Sequence, residues 1–332
     1  MKAAILEGKR KLVVKEVPEP VLDKDEVLIK VQYCGICGSD LEVYNTGANI
    51  RVGHEYSGDV VKLGAEVKGW KVGDRVTVQP RRPCGKCYWC KRGYEIGLCK
   101  EFYAELLKYG GAFATYAKAK YDQLYRIPSD LSYEYATMAQ PMATPLYAIQ
   151  ISRMQIGDTV AVLGLGPIGQ LLARLVKMAG AKAVYATEIS QPRIKLARNV
   201  IVEVIDANKT NPVDRILELT EGMGVDIVFE CSGSAMATQQ SLSLVRNGGV
   251  LIFVGICMEW VSLPIGKIAL NGLALKGLVA YTEKDFATAL NTIAERKIDV
   301  ASLITSKMSL EEINQAFEKA LKGEEGKILI KP

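Results

Sequence analysis

The chain of 332 residues predicts an α/β fold made of a β-rich part and a doubly wound parallel sheet. Three observations predict this fold. Short strand-like runs bounded by glycine or proline fill much of the first 140 residues, and such runs indicate a small barrel. From about residue 158, continuous apolar runs alternate with helical patterns, as in a parallel sheet covered on both faces. The length exceeds what one compact core usually serves, so we expect two domains.

The β-rich part begins at the N-terminus. Residues 1–17 alternate apolar and charged side chains and lack the apolar core and cleavage site of a signal peptide, so they predict a first strand. The next predicted strands lie at Glu26–Tyr33, Gly58–Gly64 and Asp74–Gln79. Their close spacing along the chain is typical of a barrel of short strands.

The second part alternates strands with helices. Thr159–Leu163 is apolar throughout, as a strand buried on both faces should be. A glycine-rich loop follows it, and Gln170–Met178 has the spacing of an amphipathic helix. Further strands are predicted at Ala183–Thr187, Val225–Phe229 and Gly249–Val254. This order predicts a parallel, doubly wound sheet.

The tail, from about residue 281, contains two predicted helices and one strand. Asp285–Glu295 is amphipathic and predicts the first helix. Ser309–Glu312 matches a capping box and predicts the start of the second helix. Lys327–Lys331 is the last predicted strand. We find no internal repeat and no low-complexity linker.

The composition excludes several classes of protein. The chain is 49% hydrophobic and 24% charged, which is ordinary for a soluble globular protein, and it has no apolar run of about 18 residues. The net charge of +5 is spread along the chain, and the clusters Lys9–Lys11 and Arg81–Arg82 are too short for a nucleic-acid-binding arm. We therefore expect a cytoplasmic protein that binds neither membrane nor nucleic acid.

The glycine loop after the first parallel strand predicts a dinucleotide site. Gly164 permits a tight turn, Gly166 lets the backbone approach a pyrophosphate, and Gly169 lets the helix pack on the sheet. Pro167 and Ile168 lie in the same loop and are further cofactor-binding candidates, and the N-terminal N–H groups of the helix that follows favour phosphate. The alternative is a tight strand-to-helix turn that binds nothing.

The end of the second parallel strand predicts which dinucleotide is used. Glu188 follows Gly169 by nineteen residues and can accept hydrogen bonds from both ribose hydroxyls. Its charge would repel a 2′-phosphate, so we expect NAD. The further cofactor-binding candidates are Arg193, Cys231 and Val254.

Four cysteines within sixteen residues predict a structural metal site. Cys84, Cys87, Cys90 and Cys99 supply four soft ligands and leave no position open, which suits a closed tetrahedral zinc. In a reducing compartment, clustered cysteines are more often metal ligands than disulfides. A redox or nucleic-acid zinc module and an iron–sulfur cluster are the alternatives.

A second, open metal site is predicted around His54, the single histidine of the chain. It follows Cys37 by seventeen residues and precedes Glu55. One thiolate, one imidazole and one oxygen ligand leave room for water or substrate, as a catalytic zinc requires. Asp40 can accept the second imidazole N–H and orient the ring. Cys34 forms Cys-x-x-Cys with Cys37, but a redox pair would need a different fold context.

These motifs, in this order, resemble the zinc-dependent medium-chain dehydrogenase/reductase family, in its alcohol and polyol group. The resemblance covers essentially the whole chain and includes Gly35–Asp40, Gly53–Gly58, Val72–Val76, the four cysteines and the glycine loop. It implies a GroES-like catalytic domain over 1–142 and 280–332, with a structural zinc lobe at about 84–99. It also implies a Rossmann NAD-binding domain over 143–279.

The resemblance also implies residue roles. Cys37 and His54 would bind catalytic zinc, and Ser39 would relay the proton of the alcohol. The family usually has Cys or Glu where this chain has Gln140, although sugar-oxidising members tolerate glutamine. Because an amide is a poor zinc ligand, we expect Glu55 to be a direct ligand in at least one state. Gln140 would then contact water or a substrate hydroxyl, or pack at the domain junction.

Two loop lengths also depart from the family pattern. The segment between Cys37 and His54 is short, and the last gap in the cysteine lobe is one residue longer than usual. Neither change removes a ligand, but the first is expected to reshape the substrate pocket.

The sequence therefore predicts a dehydrogenase that uses NAD and two zinc ions on a secondary alcohol, either a polyol or a sugar. We expect a homodimer or homotetramer. The nearest alternative is an amino-alcohol dehydrogenase acting on L-threonine. A non-catalytic dinucleotide-binding zinc protein and a zinc-free quinone reductase explain the ligand set less well.

Overall fold

The computed structural model describes residues 1–48, 51–109, 111–198, 201 and 203–332. The chain divides into two compact units. The first unit comprises 1–143 and 282–332, and the second comprises 144–281.

The first unit is built mainly of strands. Residues 1–17 form a hairpin rather than the single predicted strand, because the chain reverses at Lys9 and Arg10 between two strands, and Arg10 has a left-handed φ of 56°. Short 3₁₀ turns occur at Cys90–Arg92, Ile96–Leu98 and Tyr121–Gln123. The strands are β1 (Lys2–Gly8), β2 (Lys11–Glu16), β3 (Glu26–Gly35), β4 (Glu55–Leu63), β5 (Arg75–Val78), β6 (Tyr116–Lys120) and β7 (Leu124–Arg126), and the helices are α1 (Gly38–Thr46), α2 (Phe102–Tyr109) and α3 (Tyr133–Thr137). Helix α4 (Ala139–Ser152) begins in this unit and ends in the second.

The second unit is the predicted parallel sheet. Over the described residues it has six strands in the order β10-β9-β8-β11-β12-β13, and all neighbours are parallel. Its elements are β8 (Thr159–Leu163), α5 (Pro167–Met178), β9 (Ala183–Glu188), α6 (Gln191–Ala197), β10 (Glu203–Asp206), α7 (Pro212–Leu219), β11 (Val225–Glu230), α8 (Ala235–Leu244), β12 (Val245–Phe253), α9 (Ile265–Leu270) and β13 (Ala274–Gly277). The strand order reverses beside β8, which places the carboxyl ends of β8 and β11 at a switch point where such sheets bind ligands.

The chain then completes the first unit. The returning elements are α10 (Glu283–Ala294), β14 (Ile304–Ser309), a 3₁₀ turn at Leu310–Glu312, α11 (Ile313–Leu321) and β15 (Lys327–Lys331). The Ser309 hydroxyl and N–H donate to the Glu312 carboxylate, as the capping-box match predicted. Strand β15 inserts between β14 and β3, so the last strand of the chain is an inner strand of the larger sheet of this unit.

Buried apolar side chains form the cores of both units. The first has a core that includes Val27, Ile29, Phe113, Phe317 and Ile330. The second has a core on each face of its sheet, because β8, β9, β11 and β12 are apolar on both sides.

Candidate active site and dinucleotide loop

Cys37 is fixed at the start of α1. Its backbone N–H donates to Asp40 Oδ2 over 3.0 Å, and Asp40 lies in the first turn of the helix. The exposed Ser39 hydroxyl donates to Cys37 Sγ over 3.4 Å. The fold therefore brings together the predicted metal ligand and the predicted proton relay.

His54 lies just before β4 and is oriented by Asp40. The Asp40 Oδ1 atom is 3.4 Å from His54 Nδ1 and accepts the Gly53 N–H over 3.0 Å. All three residues are buried. With Nδ1 directed at a carboxylate, Nε2 is the nitrogen left to bind a metal, which is the usual arrangement of a metal-binding histidine. The predicted partnership between Asp40 and His54 is present.

The electrostatics of this site favour a cation. Burial opposes a charge on Asp40, yet His54 and the backbone N–H groups lower the pKa of Asp40 below its ordinary value. Burial likewise opposes a charge on His54, but Asp40 and Cys37 together raise the pKa of His54 to about 10. A site that stabilises a proton on imidazole this strongly also stabilises a metal cation in the place of that proton.

Glu55 completes a three-residue donor set. Ligand atoms of Cys37, His54 and Glu55 lie within 4.8 Å of one another, as a shared metal ion would require. The Glu55 carboxylate also forms an ion pair with the Lys327 ammonium group, and both side chains are buried. Lys327 is not among the residues that the sequence predicts for this site. The available signal was a lysine at the head of an apolar strand, but the register that brings it to Glu55 is not readable from one sequence.

Two further residues named in the interpretation of the sequence, Gln140 and Cys34, are both buried. Gln140 is buried in the first turn of α4, and its role toward a metal or substrate stays a prediction. Cys34 is fully buried in the core, and this burial raises the pKa of its thiol well above the ordinary value. A buried, protonated thiol is a poor redox partner for Cys37. Residues 49 and 50, in the short loop before His54, lie outside the described residues.

The four clustered cysteines converge in space. Their sulfur atoms lie within 4.8 Å of one another, with Cys87 Sγ 3.4 Å and Cys84 Sγ 3.9 Å from Cys90 Sγ. Backbone N–H groups point at the sulfurs, including Cys84 N–H toward Cys99 Sγ at 3.3 Å. The N–H groups of Cys90 and Lys100 lower the pKa of Cys87 to about 6. Four close thiols held by N–H donors suit a closed tetrahedral zinc site.

The glycine loop has the geometry expected of a dinucleotide site. Gly164 has φ of 91°, and a Cβ on Gly169 would lie 1.9 Å from the Gly164 carbonyl oxygen, so both positions exclude side chains. A Cβ on Gly166 would meet only the Arg193 guanidinium, at 3.8 Å. Because Gly166 has no side chain, its backbone is open to a ligand, and the Arg193 guanidinium lies beside it. Helix α5 begins at Pro167, so Pro167 and Ile168 lie in its first turn, three residues ahead of the predicted start at Gln170.

Glu188 ends β9 and is held firmly. Its carboxylate accepts the N–H groups of Leu165, Ile189 and Ser190 over 2.8, 2.7 and 3.0 Å. Three of the roughly four acceptor positions of a carboxylate are thus used by backbone, which leaves fewer for ribose than the sequence suggested. Burial lowers the pKa of Arg193, while the charge of Glu188 opposes this shift.

The last two predicted cofactor positions lie at the same edge of the sheet. Cys231 follows β11 and Val254 follows β12, at the carboxyl ends of these strands. The Cys231 Cβ is 3.6 Å from the place that a Cβ on Gly169 would take. This edge is where open parallel sheets bind their ligands.

Comparison with known proteins identifies the family. Residues 23–129 match the alcohol dehydrogenase GroES-like domain, and residues 167–295 match the zinc-binding dehydrogenase domain. The chain is 33% identical over 345 aligned positions to a sorbitol dehydrogenase of Bacillus subtilis (strain 168), covering 100% of this chain and 97% of the relative. It is 36% identical to a D-arabitol-phosphate dehydrogenase of Enterococcus avium, covering 95% and 91%.

A solved structure extends this likeness to the fold. A protein from Sinorhizobium meliloti 1021, crystallised with NADP, superposes with a TM-score of 0.92 at 29% identity and covers 100% of this chain and 99% of that one. None of the helices that the structure describes has the length and apolar character of a membrane span. With two matching domain families and relatives aligned along the full chain, the protein belongs to the zinc-dependent medium-chain dehydrogenase/reductase family, whose members are alcohol and polyol oxidoreductases.

Proposed function

We propose that the chain oxidises a secondary alcohol, a polyol or a sugar, with NAD as the hydride acceptor and one catalytic zinc ion. The proposal rests on the open donor set of Cys37, His54 and Glu55, in which Asp40 orients His54. A second, structural zinc is assigned to the four cysteines.

The roles divide between the two units. We assign metal chemistry to the unit formed by 1–143 and 282–332, and cofactor binding to 144–281. When bound, zinc supplies a Lewis acid that polarises the substrate hydroxyl, and NAD supplies the acceptor for its hydride. Asp40 holds the His54 ring in position. Ser39 is assigned the alcohol proton, because its hydroxyl lies within hydrogen-bond distance of the Cys37 sulfur and is open to solvent.

The NAD preference rests on Glu188. A relative of the same fold holds NADP, so cofactor choice must come from side chains rather than from the fold. In this chain the backbone fixes a carboxylate at the end of β9, so Glu188 cannot easily turn away from a 2′-phosphate. Like charges brought together cost several kcal/mol, so we expect NAD to be preferred at least about 100-fold.

The decisive experiment measures initial rates with NAD and NADP against polyols, sugars, polyol phosphates, L-threonine and simple alcohols. We expect the highest kcat/KM with NAD and a polyol or sugar. Glu188→Gln is the matched variant, because it keeps an acceptor oxygen and removes the charge. It should narrow the preference for NAD over NADP. If L-threonine is oxidised faster than polyols and sugars, the substrate is an amino alcohol instead. If NAD and NADP give equal rates, Glu188 does not determine the cofactor preference.

Two coarser properties complete the proposal. Metal sites built on thiolates fit a reducing compartment, so we place the protein in the cytoplasm. We also propose a homodimer or homotetramer, which light scattering on the purified protein would test.

A further inference from the structure

A buried glutamine joins two helices of the second unit beside the glycine loop. Gln170 is the fourth residue of α5 and is fully buried. Its side-chain NH2 group donates to the Arg193 carbonyl oxygen over 2.8 Å, in the first turn of α6. The two helices are therefore linked near their N-terminal ends, which follow β8 and β9 at the edge of the sheet where ligands are expected.

Arg174 fixes the orientation of this glutamine. It lies one turn further along α5, and its Nη1 atom donates to Gln170 Oε1 over 2.7 Å and to the Gln170 carbonyl oxygen over 3.1 Å. A guanidinium group has donors and no acceptor, so it must face the oxygen of the amide and not the NH2 group. The NH2 group of Gln170 is thereby turned toward α6.

The same arginine reaches the other end of α6. Arg174 Nη2 donates to the Leu196 carbonyl oxygen over 3.3 Å, one residue before α6 ends at Ala197. A cation beside the last carbonyl groups of a helix also interacts favourably with the helix dipole. Gln170 and Arg174 are four residues apart and share one face of α5, so together they hold both ends of a helix of seven residues.

Helix α5 is a fixed reference for these contacts. Its start packs so closely on the turn after β8 that a Cβ on Gly169 would collide with the Gly164 carbonyl oxygen. The Gln170 backbone N–H donates to the Gly166 carbonyl oxygen over 2.9 Å. Through its backbone and its side chain, Gln170 therefore fixes α6 relative to the glycine loop.

The first turn of α6 carries a cation of the proposed cofactor site. The Arg193 guanidinium lies 3.8 Å from the place that a Cβ on Gly166 would take, beside the backbone that we expect to approach the pyrophosphate. The Glu188 carboxylate accepts the N–H of Ser190, the residue that caps α6. A shift of α6 would therefore move Arg193 and change the surroundings of Glu188 at the same time.

Packing alone does not require polar groups between these helices. Leu171, Leu172 and Leu175 on α5 are buried, and helices pack well through such apolar side chains. A buried guanidinium group costs free energy that its hydrogen bonds must offset. Hydrogen bonds are directional, so the contacts of Gln170 and Arg174 define the distance and angle between α5 and α6 more narrowly than apolar contact does.

We propose that Gln170 and Arg174 are positioning residues that set the place of Arg193 and hence the affinity for the ADP half of the dinucleotide. Because Gln170 is fully buried, it acts through α6 and not by contact with the cofactor. The inference rests on the proposed cofactor site and goes beyond it, since it assigns a role in cofactor affinity to two residues outside the glycine loop.

The test measures the Kd of ADP-ribose for the whole protein by calorimetry, together with kcat and the KM for NAD. In Gln170→Leu, both the Kd of ADP-ribose and the KM for NAD should rise about tenfold, because a lost buried hydrogen bond changes an equilibrium constant by about this factor. The kcat at saturating NAD should fall less than about twofold. Gln170→Glu, which keeps an oxygen for Arg174 and loses the donor to α6, and Arg174→Met should show the same split.

Two further variants separate positioning from stability. Val176→Ala leaves a cavity on the core face of α5, so it should lower the melting temperature and leave the Kd of ADP-ribose unchanged. In the Arg193→Ala background, Gln170→Leu should weaken ADP-ribose by less than about twofold more, because both changes act through one guanidinium group. Should Gln170→Leu fail to fold, Arg174→Met takes its place in both comparisons.

The outcomes distinguish the inference from the proposed function. Wild-type affinity for ADP-ribose in Gln170→Leu, an equal loss in Val176→Ala, or a fully additive loss with Arg193→Ala would each overturn the inference while leaving the cofactor site intact. A wild-type protein that does not bind ADP-ribose would instead overturn the proposed cofactor site, and the inference with it.

Discussion

The two metal-binding clusters differ in what holds their ligands in place. The four cysteines all come from one segment of sixteen residues with two short 3₁₀ turns, and their sulfurs are aligned by neighbouring backbone N–H groups. Cys37, His54 and Glu55 come instead from a helix start and a strand of the sheet, with Lys327 contributed by the far end of the chain.

The two clusters are therefore expected to depend on their metal in different ways. Little regular structure holds the cysteine segment together, so metal binding there contributes directly to folding. The Cys37–His54 site is fixed by Asp40 and by the sheet, so it exists before the metal arrives. Changes in the first cluster should therefore appear in stability, and changes in the second should appear in activity.

The largest effect is expected from Cys37→Ala. Loss of a metal ligand should lower kcat/KM by more than about 100-fold, because loss of residues that merely support ligands already costs about 10–100-fold. The melting temperature should stay near that of the wild type, because residue 37 donates to Asp40 through its backbone N–H, which alanine keeps. Steady-state kinetics and calorimetry measure the two quantities. Wild-type turnover in Cys37→Ala would rule out a thiolate ligand at this position.

Cys87→Ser should have the opposite signature. Structural zinc binding contributes about 10–16 kcal/mol in small zinc peptides, so loss of one of four ligands should cost several kcal/mol of stability. Cys257→Ser is the matched control, because Cys257 lies outside both clusters and its thiol lies 3.7 Å from the Glu259 carbonyl oxygen. Metal analysis should find one zinc in Cys87→Ser and two in Cys257→Ser. If the two variants have the same melting temperature, the cysteine cluster is not a stabilising metal site.

The same contrast explains what the sequence could predict. Cys84, Cys87, Cys90 and Cys99 are neighbours along the chain, so their spacing alone predicted their convergence. The glycine loop was predictable for the same reason, since its strand, turn and helix are consecutive. Long apolar runs likewise predicted β8 and β9 within one residue of their observed ends.

Contacts between distant segments were less predictable. Lys327 and Gly35 meet Glu55 through strand pairings whose register depends on the whole sheet, and a one-residue slip would point Lys327 to the other face. The helices α3 and α4 and the edge strand β13 were also missed. They carry weak periodicity, and tertiary packing decides their form.

Gly35→Ala tests whether the sheet sets the open site. The added methyl group would collide with Glu55 Oε2 and the Lys327 side chain, and overpacking of this kind costs about 1–3 kcal/mol. We expect altered metal affinity together with this loss of stability. Gly8→Ala is the control, because a Cβ there meets nothing within 4 Å. Equal metal affinity and melting temperature in the two variants would show that the site does not depend on the space at Gly35.

The smallest effect is expected at the joint between the cysteine segment and the sheet. Helix α2 follows Cys99, and its residues Lys108 and Tyr109 both contact the buried Glu26 carboxylate of β3 at 3.0 Å. Lys118 joins them at 2.8 Å. Burial alone would raise the pKa of Glu26, but the Asp23 N–H and these side chains outweigh it and lower the pKa to about 2.

Because the folded pKa of Glu26 is below its ordinary value of 4.5, the carboxylate stabilises the fold above about pH 4.5. This contribution should disappear as the pH falls from 4.5 toward 2. Glu26→Gln should thus cost about 1 kcal/mol at neutral pH, a modest value because both lysines are partly exposed, and the difference from wild type should vanish in acid. Chemical denaturation across this pH range measures the effect, with the exposed Glu66→Gln as control. A difference that does not depend on pH would mean that the Glu26 charge does not anchor α2, and the cysteine segment would then rely on its metal alone.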